Sequence, residues 1–207
     1  MNLGISHVTL NRAIFATRGN EQDISGTLGI SAYHQSLGFY QIGYDGHAYY
    51  PLFWGFILDP HVTLGYGNGY GNTNQLPFFN NYYAGGLQSL PGYTANTLGP
   101  KNPYNTTQGL GGNVETLAGL NFILPDFISH KVRTAFLLDA GNIFQTHQVT
   151  GVTYEHISLD DLRVTAGIMV SWWSPLGAPL DFSLGFPLNQ KPGDQLSPFA
   201  FSFGAAI

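Results

Sequence analysis

The stretch Leu162-Arg163-Val164-Thr165-Ala166-Gly167-Ile168-Met169-Val170-Ser171-Trp172-Trp173 decides the fold. Its even positions, from Leu162 to Trp172, are all apolar, while Arg163, Thr165, Gly167 and Ser171 fall on the odd ones. A period of two is the signature of a β-strand with one face in an apolar medium. The pattern recurs on both sides of this stretch. Leu180, Phe182, Leu184 and Phe186 alternate with Asp181, Ser183 and Gly185, and Phe199, Phe201 and Phe203 alternate with Ala200, Ser202 and Gly204. Upstream, Val114 to Leu124 oppose Glu115, Gly119 and Asn121, and Phe136, Leu138 and Ala140 oppose Arg133, Asp139 and Gly141. Tyr40 to Tyr50, Ile24 to Ile30 and the run around Leu64 behave alike. Eight strands follow, near 23–33, 37–51, 56–67, 113–125, 131–144, 162–174, 178–187 and 197–207, with a weaker ninth near 3–10.

Composition fixes the medium. Only 9% of the 207 residues are charged, whereas 14% are aromatic and 27 are Gly. Soluble chains carry about a quarter charged residues. A soluble sandwich would turn Lys, Glu and Thr outward, where this chain turns Phe, Leu and Val. No apolar run reaches the roughly 18 residues of a spanning helix, so membrane contact falls to strands. The fold class expected is all-β, an antiparallel transmembrane β-barrel segment. Short connections at 52–55, 126–130 and 175–177 and longer ones at about 68–112, 145–161 and 188–196 match periplasmic turns and extracellular loops. Charges belong inside: Glu115, Arg133 and Asp139 are expected to face the lumen, and Val164, Ile168 and Trp172 the lipid.

The net charge of −5 offers no basic footprint, so nucleic acid is excluded as a partner. The absence of Cys removes disulfides, thiolate metal sites and cysteine nucleophiles. The Gly65-Tyr66-Gly67-Asn68-Gly69-Tyr70-Gly71-Asn72 run lacks the Lys-Ser/Thr and the helix of a phosphate loop. His7, His34, His47, His61, His130, His147 and His156 include no pair at metal-ligand spacing, so neither metal nor cofactor is expected. No Gly-x-Ser-x-Gly elbow occurs, and the chain is expected not to be an enzyme.

The long loop carries the most distinctive residues: Phe79-Asn80-Asn81-Tyr82-Tyr83-Ala84-Gly85-Gly86, Leu90-Pro91-Gly92-Tyr93, Asn96-Thr97-Leu98-Gly99-Pro100 and Gly111-Gly112-Asn113. Around it stand Phe15-Ala16-Thr17-Arg18-Gly19, Val132 through Asn142, Ser174-Pro175-Leu176-Gly177 and Pro179-Leu180-Asp181-Phe182. In this order the pieces resemble the C-terminal barrel of the BamA family of outer-membrane assembly factors, within the surface antigen and two-partner secretion superfamily. The resemblance covers nearly all 207 residues. It implies the second half of a sixteen-stranded barrel, in a chain without the family's POTRA domains or signal peptide, as a truncated or split copy. It also implies a location in the bacterial outer membrane and a non-enzymatic insertase, which templates incoming strands at a lateral gate. Partners then expected are the lipid bilayer, unfolded outer-membrane protein clients, a complementary N-terminal barrel half and assembly-machinery lipoproteins. A small stand-alone barrel, acting as porin, adhesin or surface antigen, is the alternative.

Three departures from the family pattern bear on its site. The loop motif Leu90-Pro91-Gly92-Tyr93 has Pro where the family has an Arg that pairs with inner-wall carboxylates. Of those two carboxylate positions, Asp139 keeps one and Asn121 replaces the other. A loop anchored less firmly in the lumen than in the family is the expectation, because Pro91 supplies neither charge nor N–H. The terminal gate strand and insertion signal fall on Phe199, Phe201, Phe203 and Ile207, with Ile where the family ends on Phe or Trp.

Overall fold

The structure, a computed structural model, describes residues 1–30, 37–126, 129–147, 157–175 and 177–204. Nine antiparallel strands form one sheet: β1 (Asn2–Val8), β2 (Gly19–Gly29), β3 (Gly38–Pro51), β4 (Ile57–Tyr70), β8 (Val114–Ile123), β9 (Val132–Phe144), β10 (Arg163–Trp173), β11 (Pro179–Pro187) and β13 (Phe199–Phe203). Four short strands lie in the loops: β5 (Gly92–Tyr93), β6 (Lys101–Asn102), β7 (Asn105–Gly109) and β12 (Leu196–Ser197). β5 pairs with β12, and β6 with β7. Each strand of the large sheet follows its spatial neighbour in the chain, the up-and-down order of a barrel wall. Among the described residues β1 pairs only with β2, and β13 only with β11, so both flanks are open edges.

Several boundaries differ from those read in the sequence: β4 runs on to Tyr70, into the stretch read as loop from about 68, and Ser197 pairs with β5 instead of opening the last strand, described as Phe199–Phe203. The first strand is complete, and β2 begins at Gly19 rather than near residue 23. Gly19-Asn20-Glu21-Gln22 has no apolar alternation of its own; pairing with Tyr49, Ala48, His47 and Gly46 makes it a strand. The loop after β4 also has more order than its lack of periodicity suggests, holding β5, β6, β7 and a short 3-10 turn at Phe78–Asn80.

The register runs unbroken around the wall. One row reads Glu21, His47, His61, Gly119, Asp139, Thr165, Pro187, and the next reads Asp59, Asn121, Leu137, Gly167, Gly185. All of these face one side, together with Glu115 and Arg133. On β9 Leu137 and Asp139 are 4% and 5% exposed, while Phe136 and Leu138 between them are 48% and 49% exposed. The exposed set is the lipid face, continued by Ile24, Ile42, Leu64, Ile168, Trp172, Leu184 and Phe201. A one-residue slip anywhere would turn the Asp and His side chains into hydrocarbon.

Two small cores lie on the inner side. Ile57, Ile123 and Ala135, with Tyr49 against them, fill the end near the short turns. There the Arg133 guanidinium sits 4.9 Å from the Phe15 ring centre and donates to the Ala16 carbonyl, tying the β1–β2 connection over the wall. Ala84, Leu90, Tyr93, Leu98, Leu117 and Ile143, joined by Tyr82, form the second core, and most of it belongs to the long loop.

Candidate functional site

The long loop enters along β3 and β4. Gln41 Nε2 donates to the Asn80 carbonyl at 2.8 Å, Asn80 Nδ2 returns a bond to Gln41 Oε1 at 3.0 Å, and Tyr82 donates to the Ile42 carbonyl at 3.3 Å. From there Leu90-Pro91-Gly92-Tyr93 crosses to the opposite wall. Leu90 and Tyr93 are 0% exposed. The Pro91 carbonyl accepts a 2.6 Å bond from the Thr165 hydroxyl, and Thr165 is the residue paired with Asp139 in the ladder. Beside it, the Pro91–Gly92 peptide lies on Gly185: a Cβ at residue 185 would come within 2.5 Å of the Gly92 nitrogen and the Pro91 oxygen. No side chain larger than hydrogen fits at that crossing.

A second segment locks the first. β12 pairs Leu196 with Tyr93 and Ser197 with Gly92, and the Thr94 N–H donates to the Gln195 carbonyl at 2.9 Å. This segment is held to the wall by Arg163, whose Nε and Nη2 donate to the two oxygens of Asp194 at 3.2 and 3.0 Å. Both side chains are almost fully buried. Fork-to-fork pairing of this kind gives direction as well as attraction. Lys191 adds an ion pair to Asp161. Burial also pushes the Tyr93 phenol up to about 12.

The loop is seated on the wall although Pro91 supplies neither charge nor N–H. A proline lacks an N–H but keeps its carbonyl, and the carbonyl makes the contact. The wall partners also differ from those the family pattern implies. Asn121 Nδ2 donates to Asp59 Oδ2 at 3.1 Å, and Asp139 Oδ1 lies 3.2 Å from His61 Nε2. The described contacts of Leu90-Pro91-Gly92-Tyr93 go to Thr165, Gly185 and β12. His61 stands as the partner of Asp139.

The row at Asp139 holds a cluster that linear spacing hid. His47 and His61 are paired across β3 and β4, their rings stacked at 5.3 Å and 15°. Asp59, two residues before His61 on the same face, places Oδ1 3.3 Å from His47 Nδ1. Gly119 lies between His61 and Asp139, and a Cβ there would collide with both side-chain ends. The signal was present as parity: His47, Asp59, His61, Asn121 and Asp139 are all odd-numbered inward positions. Only the register, which the sequence did not supply, brings them together.

The terminal strand completes the site. Phe199, Phe201 and Phe203 face outward, 56–60% exposed, and the Phe201 ring rests 5.5 Å from Phe182 of β11. Ser202 pairs with Asp181 and Ala200 with Ser183 on the inner side. Ile207 lies outside the described residues. The outer edge of β13 has no strand beside it among the described residues, so alternate N–H and C=O groups point away from the sheet.

Comparisons agree with this architecture over its full length. The Omp85 superfamily domain matches residues 1–207. The chain is 32% identical over 217 aligned positions to "Outer membrane protein assembly factor BamA" of Neisseria meningitidis serogroup B, covering 94% of this chain and 27% of that protein. The protein of the same name in Nitratidesulfovibrio vulgaris is 29% identical over 143 positions, covering 66% of this chain and 16% of the relative. Among solved structures, BamA from Haemophilus ducreyi lacking POTRA domains 1–3 matches with a TM-score of 0.80 and 30% identity, covering 97% of this chain and 41% of that one. The chain thus spans about a quarter of the length of the Neisseria relative. Matched along all its residues in sequence and nearly all in structure, it belongs to the Omp85 superfamily, a family of the bacterial outer membrane.

Proposed function

We propose that this chain forms the terminal-strand side of an outer-membrane protein assembly factor, which folds client barrels by offering them a strand edge. The observation that carries the reading is the free edge of β13, five residues long and backed by a wall that the loop stiffens. Unpaired N–H and C=O groups in hydrocarbon are each destabilised by several kcal/mol, so such an edge captures any extended client strand that can satisfy them. Capture is an exchange of hydrogen bonds, and it needs no nucleophile, cofactor or metal. Specificity comes from the alternation: a client strand in register sets its apolar side chains beside Phe199, Phe201 and Phe203. The clients that fit are unfolded outer-membrane barrels, and the bilayer is the solvent in which pairing is strongest.

The test uses Ser202→Cys in the chain reconstituted into liposomes, with an unfolded barrel client carrying one Cys in its terminal strand. Expected is a disulfide cross-link that depends on the client register, absent when the client Cys is moved by one residue to the opposite face. Cross-links of equal yield from a separate Ser6→Cys variant in β1, or none from Ser202→Cys, would overturn the reading.

A further inference from the structure

We infer that His47, Asp59 and His61 form a binding site for one divalent transition-metal ion of the zinc class on the inner wall. One ligand atom from each residue lies within 4.8 Å of the others. An ion at about 2.1 Å from each would need them only some 1 Å closer, within reach of side-chain rotation. Two imidazoles and a carboxylate are the donor set that borderline cations prefer. The backbone supports the arrangement, because a cross-strand His pair with an Asp two residues away puts three donors on one face of two neighbouring strands.

Two further observations point to a cation. Asn121 Nδ2 lies 3.1 Å from Asp59 Oδ2 and 3.5 Å from His61 Nδ1, so a carboxylate and an imidazole lone pair converge on one donor atom. A metal ion bound between Asp59 and His61 would take that place once the Asn121 amide swings aside. The outer nitrogens face carboxylates: His61 Nε2 lies 3.2 Å from Asp139, while His47 Nε2 is 4.0 Å from Asp45, beyond hydrogen-bond reach. At His61 the carboxylate behind the far ring nitrogen favours the tautomer that leaves Nδ1 free to ligate. Every ion pair described for Asp45, Asp59 and Asp139 is to one of these two histidines. Asp59 and Asp139 are both nearly buried, while the two histidines remain partly open to the lumen, so an ion can enter.

The experiment titrates the metal-stripped chain, refolded in detergent, with Zn2+ and with Co2+, whose visible absorption reports its ligands. Expected is uptake of one ion per chain. Affinity should fall at least tenfold in H47Q, D59N and H61Q and about tenfold in D139N, which keeps the ligands and loses the support. H130Q should leave uptake unchanged, since His130 is exposed and serves as the control for casual binding. Cu2+ bound to the unaltered chain should show two imidazole nitrogens by electron paramagnetic resonance, a readout that requires no variant to fold. Absence of saturable uptake, uptake unchanged in H47Q and H61Q, or fewer than two nitrogens on Cu2+ would overturn the site.

Discussion

The inner wall is built in two ways. Across β3, β4, β8 and β9 it is made of long polar side chains that meet one another: His47 with Asp59, His61 with Asp139, Asn121 with Asp59. Across β10 and β11, in the same two rows, it is made of Thr165, Gly167 and Gly185, and the loop backbone replaces the missing side chains. The first wall pairs many of its polar side chains with one another, and the loop only adds to it at Gln41 and Ile42. The second is incomplete until the loop docks, so the loop is part of the wall.

The contrast breaks hardest at the buried pair. Asp194→Ala removes the two-pronged acceptor of a buried guanidinium and should destabilise the chain by about 3 kcal/mol, in the range for breaking buried pairs. Urea unfolding would measure the loss, and limited proteolysis between residues 85 and 95 would show the loop released. Next comes Gly185→Ala, expected near 2 kcal/mol, because the added methyl meets backbone that cannot rotate away. Thr165→Val should lose about 1 kcal/mol by leaving the Pro91 carbonyl without its donor, with cleavage of the loop again the readout. Smallest of all is Gly119→Ala. Its methyl also meets an occupied space, but the occupants are the ends of His61 and Asp139, which can swing aside. Under about 1 kcal/mol and no change in loop cleavage are expected, and the His61 and Asp139 resonances should be the ones that shift. Loop release by Gly119→Ala equal to that by Gly185→Ala would show that the walls are not independent.

These effects sit at different depths of legibility. The lipid face could be read directly: Phe136 and Leu138, or Leu180 through Phe186, announce a strand by alternation, and the low charge names its solvent. The inward residues could be assigned a side but not a neighbour. His47 and His61 are fourteen apart along the chain, a spacing without meaning until the β3–β4 register makes them opposite. The loop was opaque for another reason. Its order comes from carbonyls, glycines and an ion pair 31 residues from its partner, none of which leaves a periodic trace. At Pro91 the contact is made by the carbonyl, a group every residue type carries and the sequence therefore does not mark.

The β3–β4 register sets a rule of inheritance for the turn at 52–56. Because His47 meets His61 only at the present turn length, adding or deleting one residue there either slides the partners past each other or turns one strand inside out. Substitutions in that turn are absorbed locally, and Trp54, 84% exposed, has room for many of them. Changes in its length are not. Insertions and deletions in the turn should survive only where a bulge or a wider turn restores the count, while the β6–β7 tip of the long loop, paired only within itself, is freer to drift in length.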